Sequence, residues 1–411
     1  MNDVVSYRAV FGVAEFPRLA IVSLFSRTAG AMWQLALVLF VLERFGSPEL
    51  AGFAVFLSIA PGILIAPVAG ALLDRHGRVR LMIIDYIASA LFLLALAGIA
   101  IAGVLSVPLL LVLVFATSLT NPIGHAGARS LFPLIVPRHL WDRANAVDSG
   151  GYTLTSIIGA PIAGIIAAFA GAHMALVATA VLHLMAAAVL FGLRDPRDPV
   201  PGGRLMAESL AGVRYVLRNP TLRGLAAGVS TANLAHGIAI VGLPVLVIDH
   251  LGGNAAHVGQ LWALMGIAGL VAAMTTGRIG SEGRERQLLA LSMLAVAGAV
   301  LLLARADTLG AVALAIVLLG SGIGPLDVAL FSLRQRRTDP AWFGRAFAVS
   351  MYLNYSGIPF GSGIGGALVA ASIPLAFTVG AGFAVLGAVS TMVLIPKREE
   401  SEEMRERVGA G

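Results

Sequence analysis

Apolar residues run along this chain in twelve long stretches separated by short polar turns, near 19–42, 50–73, 81–103, 107–128, 146–170, 173–193, 224–248, 256–277, 287–304, 309–333, 346–371 and 373–395. A helix needs about 20 predominantly apolar residues to cross a bilayer, so the pattern predicts twelve membrane spans. Spans 3–4, 5–6 and 11–12 follow one another almost without a loop. The longest polar stretch, Arg194 to Arg223, lies halfway along the chain. It opens with Arg194-Asp195-Pro196-Arg197-Asp198-Pro199 and Pro201-Gly202-Gly203, which no helix tolerates. Leu205, Met206, Leu210, Val213 and Leu217 then recur at helical spacing, with Glu208, Arg214 and Arg218 between them. This reads as a linker followed by an amphipathic helix on the inner membrane surface, with a partner-binding helix as the alternative. The pattern divides the chain into a six-span half over 1–193, a linker over 194–222, a second six-span half over 223–396 and a polar tail over 397–411.

Composition narrows the class. Hydrophobic residues make up 58% and charged residues 12% of the 411, whereas a soluble domain carries about 25% charged residues. The expected protein is all-α and multi-pass in the cell membrane, a bacterial inner membrane, with the lipid bilayer as its partner. Its formal charge of +6 acquires meaning from placement. Turns Asp74–Arg80, Arg129–Arg143, Arg194–Arg223, Arg278–Arg286 and Arg334–Arg345 are rich in arginine, and the intervening turns carry only Arg44 and Arg305. With Arg27 inside span 1, 25 of the 28 Lys+Arg residues lie on one face, which the positive-inside rule makes cytoplasmic, with both termini inside. The basicity therefore reflects topology and not nucleic-acid binding. Met1 to Pro17 has no short apolar core with a cleavage site, which reads against a signal peptide.

Two residue counts exclude chemistry. The chain has no cysteine, so disulfides, thiol catalysis and cysteine-held metal sites are ruled out. Its one lysine, Lys397, lies in the polar tail, so no Walker A loop exists to bind ATP phosphates and no Schiff base can form within a span. Active transport must draw on an ion or substrate gradient. No cofactor motif, metal-ligand set or Ser/His/Asp string is present, so neither cofactor nor metal nor enzymatic activity is expected.

An internal repeat marks the midpoint. Pro122 and Pro325 are 203 residues apart, as are Arg75 and Arg278. Arg143-Ala144-x-Ala146-Val147 recurs as Arg345-Ala346-x-Ala348-Val349, and Gly159 and Gly164 recur as Gly361 and Gly366, all at an offset of 202. Two six-span halves related about the membrane normal account for these anchors.

The most specific motif lies between spans 2 and 3: Gly70-Ala-Leu-Leu-Asp74-Arg75-His-Gly77-Arg78-Val-Arg80. Gly70 permits close helix approach. Asp74 ends span 2 with a carboxylate that can meet cations or a helix N-terminus. Gly77 makes the tight turn, and the arginines hold the loop at the inner headgroups. The motif resembles the signature loop of the major facilitator superfamily at every fixed position. The resemblance implies the twelve-helix major facilitator fold, with Asp74 anchoring the halves in one conformation as a gate. The second copy, Gly277-Arg278-Ile-Gly280, has no acid at the Asp74 position. Gly159-Ala-Pro161-Ile-Ala-Gly164 in span 5 resembles the antiporter motif of superfamily exporters, although Ala160 and Ala163 interrupt it; an ordinary small-residue packing face is the competing reading. Tyr7-Arg8-Ala9-x-Phe11, Phe40-Val-Leu-Glu-Arg44-Phe-Gly46-Ser47-Pro48, Ala128-Arg129-Ser-Leu-x-Pro133, Arg143-Ala-Asn145-Ala and Gly344-Arg345-Ala346 look like the macrolide-efflux branch of the drug:proton antiporters. Members of that branch often carry a span 1 carboxylate near the position of Gly30; here the nearest ionisable group is Arg27.

Ionisable groups inside a span are costly and are functional suspects. Asp327, just after Pro325 in span 10, and His236, in the middle of span 7, are the candidates for proton coupling, with helix packing as the alternative for each. In this fold spans 1, 4, 7 and 10 face the central cavity, which makes Arg27, Trp33, Gln34, Asn121, His125 and Asn233 candidate cavity residues. Asp85 and Asp148, near the cytoplasmic ends of spans 3 and 5, are expected to pair with loop arginines. A mostly apolar lining with few fixed charges suits a hydrophobic or amphipathic small molecule. The expected function is monomeric, secondary active export of drug-like compounds or secondary metabolites by alternating access, multidrug in type and coupled to protons. An uptake carrier or uniporter for a small metabolite is the alternative within the class, and a transport-inactive membrane sensor or scaffold is the alternative outside it.

Overall fold

The structure, a computed structural model, describes residues 6–193, 195, 205–339 and 342–397, without the side chains of 67, 70, 71, 74, 133, 205–210 and 343–348. Among the described residues every regular element is helical. A short α1 (Tyr7–Phe11) leads into α2 (Phe16–Phe45), α3 (Pro48–His76), α4 (Arg78–Ile101), α5 (Val107–Ile135), α6 (Trp141–Ala170) and α7 (Ala172–Leu190). The amphipathic helix α8 (Leu205–Arg218) precedes α9 (Pro220–Val245), α10 (Ala255–Ile279), α11 (Glu285–Leu303), α12 (Leu309–Arg336), α13 (Phe343–Tyr355), α14 (Gly357–Ala371) and α15 (Ile373–Leu394). Eleven of these helices are long and apolar enough to cross a membrane. The expected all-α, multi-span class is what the chain forms.

Three spans differ from the hydropathy reading. Helices α5 and α6 run past the apolar limits at 128 and 146, to Ile135 and from Trp141, because hydropathy marks only the part of a helix that meets lipid. The eleventh apolar stretch, expected as one helix, is broken at Ser356 into α13 and α14. Pro359 has no N–H to bond the carbonyl four residues back, so the backbone there can open. The neighbouring helix satisfies what is freed: Asn233 Nδ2 donates to the Asn354 carbonyl at 2.8 Å, and the hydroxyls of Ser230 and Ser356 lie 3.0 Å apart.

Packing separates the helices into two compact units, one comprising the helices up to α7 with residues 240–266, the other residues 207–239 with everything from 267 onward. In the first unit α2 packs on α6 and α7, α4 packs on α5 and α7, and α3 packs on α5. In the second, α11 packs on α12 and α15. Glycines bring α9 against both α14 and α15: a Cβ on Gly361 would strike the backbone of Leu234, and one on Gly387 would reach Gly228. Spans 1 and 5 meet in the same way, where a Cβ on Gly159 would strike Ala31. Residues 31 and 234 are themselves 203 apart, so the repeat read from sequence is also a repeat of contacts.

Two helix starts in the first unit borrow their caps. The N-cap residues Gly77 (φ +89°) and Gly171 (φ +89°) carry no side chain to accept from the first N–H groups. Asp195 Oδ2 accepts from Val79 N at 3.1 Å, and Glu43 Oε2 accepts from Ala172 N at 2.8 Å. Each carboxylate sits where the helix dipole favours an anion. The end of α8 is tied to the second unit: Tyr215 stacks on Trp342 at 5.0 Å and accepts from Asp339 N at 3.0 Å. That helix thus rests on protein at its C-terminal turn, a contact hydropathy did not anticipate. The linker residues 194 and 196–204, the tail beyond 397 and the side chains of Leu205, Met206, Glu208 and Leu210 lie outside the described residues.

Candidate functional site

The signature loop closes α3 and opens α4. Arg75 and Arg80 are exposed and Gly77 is buried under Asp195, whose carboxylate occupies the space a Cβ would need. Arg78 Nε donates to Ser130 Oγ of α5 at 3.1 Å. The side chains of Gly70 and Asp74 lie outside the described residues, so the gating role read for Asp74 has no geometry to argue from. In span 5, Gly159 admits α2, while Gly164 and Pro161 face Gly259 at the start of α10; a Cβ on Gly259 would meet Ala160 O at 2.7 Å and Pro161 Cα at 2.9 Å. The motif therefore serves close helix packing on two sides.

The first unit holds a buried polar cluster. Arg27 of α2 places Nη2 at 2.8 Å from Asp148 Oδ1 of α6, donates from Nη1 to the Asp148 carbonyl at 2.9 Å, and lies over the Tyr152 ring at 5.6 Å. The in-span cation therefore has an acidic partner, and that partner is Asp148. This corrects the expected pairing of Asp148 with a loop arginine: α2 and α6 approach through Gly159, and the nearest guanidinium is the one inside span 1. Asp85 makes no ion pair with the loop arginine expected for it among the described residues, although Arg129 lines a cavity with it. Asp85 is 3% exposed, accepts from Ser89 Oγ at 3.4 Å, and rests against Gly124 of α5, where a Cβ would collide with its Oδ2. Beside it the rings of Tyr86 and His183 lie 6.1 Å apart, and His183 Nδ1 contacts the Thr179 carbonyl at 3.0 Å.

Arg27, Asp85, Ser89, Tyr86, Tyr152 and His183 line a cavity of about 50 Å³, together with Gly30, Asn121 and His125. The His125 ring keeps an exposed face although it sits deep in α5. A wider opening of about 390 Å³ lies between the end of α5 and the start of α6, bounded by Phe132, Trp141 and Asn145. Arg129 lines both spaces; of the ion pair, Arg27 lines the narrow one and Asp148 the wide one, so the pair stands where the two meet. Of the candidate cavity residues, Arg27, Asn121 and His125 come together here. Trp33 is half-buried and Gln34 exposed, further along α2, and neither lines these two spaces.

The second unit holds the other candidates. His236 is half-buried on α9, one turn from Asn233, whose amide is engaged at the break in span 11. Asp327 is half-buried on α12, two turns before Arg334 on the same face. Arg334 is 1% exposed, lies 5.5 Å from the Phe331 ring, and bonds the Asn354 amide oxygen once that amide is oriented to fit its neighbours. Four residues of the clusters escaped the sequence reading. Tyr86, Tyr152 and His183 gave no hydropathy signal, and Arg334, just past the apolar stretch 309–333, was counted among the loop arginines although α12 runs on to Arg336 and buries it.

The Major Facilitator Superfamily profile matches residues 19–362, and the chain belongs to that family of transporters. It is 36% identical over 404 residues to the uncharacterized MFS-type transporter y4rN of Sinorhizobium fredii (strain NBRC 101917 / NGR234), covering 96% of this chain and 98% of the relative. It is 26% identical over 402 residues to the enterobactin exporter EntS of Escherichia coli O1:K1 / APEC, covering 96% and 92%. The nucleoside transporter NupG shares the fold, with a TM-score of 0.78 at 12% identity over 93% of this chain and 99% of NupG.

Proposed function

We propose that this transporter exports hydrophobic or amphipathic small molecules by alternating access, in exchange for protons. The observation that carries the proposal is the polar cluster of the first unit, an ion pair and a solitary carboxyl sunk among apolar spans, which a carrier without an ion to move has no use for. Full-length similarity to an exporter supports the outward direction. The strings around Arg44, Arg129 and Arg143 support a place near the macrolide-efflux branch and a multidrug habit. The same reading has the protein act as a monomer in the inner membrane, its arginine-rich face, both termini and the 194–222 linker cytoplasmic, between halves at 1–193 and 223–396. Asp74 latches the halves, and the coupled proton rides on a buried group, Asp327, His236 or Asp85.

Everted membrane vesicles loaded with ethidium test the proposal. Energised vesicles are expected to accumulate the dye, a protonophore to abolish accumulation, and Asp74→Asn to stop it while leaving the inserted protein intact. Equilibration of the dye without accumulation, unchanged by the protonophore, would make the protein a uniporter. Dye movement only in the opposite direction would make it an uptake carrier, and no movement of any amphipathic probe would favour a sensor or scaffold.

A further inference from the structure

Among the described residues of the first unit, one fully buried carboxyl, Asp85, makes no ion pair. Asp148 is committed to Arg27, so taking up a proton there would break the ion pair and strand a guanidinium. Asp85 touches a serine hydroxyl and the Gly124 backbone, and no arginine or lysine lies within ion-pair distance of it among the described residues. It can gain and lose a proton without disturbing a neighbour's charge. The space beside it, about 50 Å³, suits water and not an organic solute, since one water occupies about 30 Å³ in the liquid. Water there would have polar partners on several walls: the carboxyl itself, Asn121 and the His125 ring.

We propose that Asp85 is the group that carries the coupled proton, and that the Arg27–Asp148 pair is the divide between its water-sized cavity and the wider space at the arginine-rich face. The assignment rests on the export reading above. In one conformation a water on the far side gives its proton to a carboxylate oxygen of Asp85. In the other, the carboxyl O–H bond breaks and the proton leaves on water past Asp148 and Asn145, so one proton enters and one leaves per cycle. Each wall presents its own titratable or charged groups to this path. On α4 itself the neighbour is Tyr86; α5 presents His125 and Arg129, α6 presents Tyr152 to the narrow cavity and Asp148 to the wider space, and α7 presents His183. From α2 comes Arg27. Tyr86 and His183 are buried against each other, which leaves His125, with its open face, as the group able to pass a proton to or from Asp85.

Geometry also provides a way to restore the function elsewhere. Gly30 of α2 lines the same cavity, and a Cβ built on it meets nothing within 4 Å. A carboxyl introduced there would face the same water. The experiment uses the full chain in proteoliposomes with two readouts: charge displacement on a solid-supported membrane after a pH step without any solute, and ethidium flux as pH-driven accumulation and as dye-for-dye exchange. Asp85→Asn should lose the charge displacement and the pH-driven accumulation but keep exchange, and Gly30→Asp added to it should restore the lost signals. Charge displacement of parental size in Asp85→Asn overturns the assignment, as does loss of exchange together with drive in a variant that elutes as folded protein. Loss of drive in Asp327→Asn with drive retained in Asp85→Asn places the proton on Asp327 and also overturns it. A parental protein that never drives dye with a pH gradient overturns both this inference and the export reading, whereas failure confined to Asp85 leaves export standing.

Discussion

The two halves carry an in-span carboxyl on different helices of the repeat, Asp85 buried on α4 and Asp327 half-buried on α12. At the offset of 203, Asp85 corresponds to Leu288 and Gly124 to Asp327, while Ser89 corresponds to Ser292. In the first unit the carboxyl reaches across from α4 into the space left by a glycine on α5. In the second it stands on α12 at the glycine's position, and α11 contributes a leucine that joins the apolar packing. Their surroundings differ. Asp327 shares its helix face with the buried Arg334, whereas Asp85 makes no ion pair among the described residues, although Arg27 and Arg129 line its cavity beside hydroxyls, an amide and imidazoles. One half holds a fixed charge and the other a group that can change its charge.

The largest effect should come from removing the fixed charge. Arg334→Ala takes away a side chain that is 1% exposed, opens a cavity, and leaves the Asn354 oxygen and Asp327 without their cation. Truncating a large, fully buried side chain is destabilising by about 2–5 kcal/mol. Thermal unfolding of the detergent-solubilised protein, followed by size-exclusion chromatography, should show a strongly lowered midpoint or loss of the monodisperse peak. By contrast, Asp85→Asn should leave the midpoint close to parental, because no cation depends on Asp85. Equal destabilisation by the two variants would break the comparison.

A smaller effect sharpens it. Gly124→Asp in the otherwise native chain forces a side chain into Asp85 and the Tyr86 ring, and overpacking of this kind destabilises by about 1–3 kcal/mol. The double variant Asp85→Leu/Gly124→Asp reproduces in the first unit the arrangement that Leu288 and Asp327 adopt in the second. A double-mutant cycle should show that Asp85→Leu recovers most of the midpoint lost in Gly124→Asp, since residues in contact couple strongly. Additive losses would mean that the two halves do not share this packing.

The division of labour was only partly legible in the sequence. Twelve apolar stretches fix the spans because length and hydropathy are local properties, and the repeat survives in Gly159 and Gly361 because close approach tolerates no other residue there. The break in span 11 was not legible from proline alone. Pro161, Pro325 and Pro244 all lie inside unbroken helices, and what distinguishes Pro359 is that Ser230 and Asn233 of another helix receive the freed groups. For the site, Arg27 was visible as a cation in an apolar stretch, but its partner depends on the register between α2 and α6. Asp85 was misjudged for a related reason. Its distance from the helix end suggested a loop arginine, whereas the face it occupies, turned toward Gly124, carries no mark in hydropathy.

The smallest effect concerns the borrowed caps, where the halves differ again. Gly77 lies under Asp195, but at its repeat position Gly280 (φ +80°) a Cβ meets nothing within 4 Å among the described residues. The first unit's signature loop is thus held from above by a carboxylate from beyond span 6, and its counterpart is open. Asp195→Ala should destabilise by about 1 kcal/mol, the usual loss for a helix N-cap. Asp195→Asn should lose only part of that, because an amide oxygen can still accept from Val79 N while the charge at the helix N-terminus is gone. The charge-dependent part should shrink as salt is raised. Glu43→Gln at α7 is the matched control, since it makes the same bond to a helix start away from the signature loop. If both carboxylates only cap helices, Asp195→Asn and Glu43→Gln will lower the unfolding midpoint alike and leave ethidium accumulation alike. A selective loss of accumulation in Asp195→Asn, at an unchanged midpoint, would instead tie the roof over Gly77 to the gating loop itself.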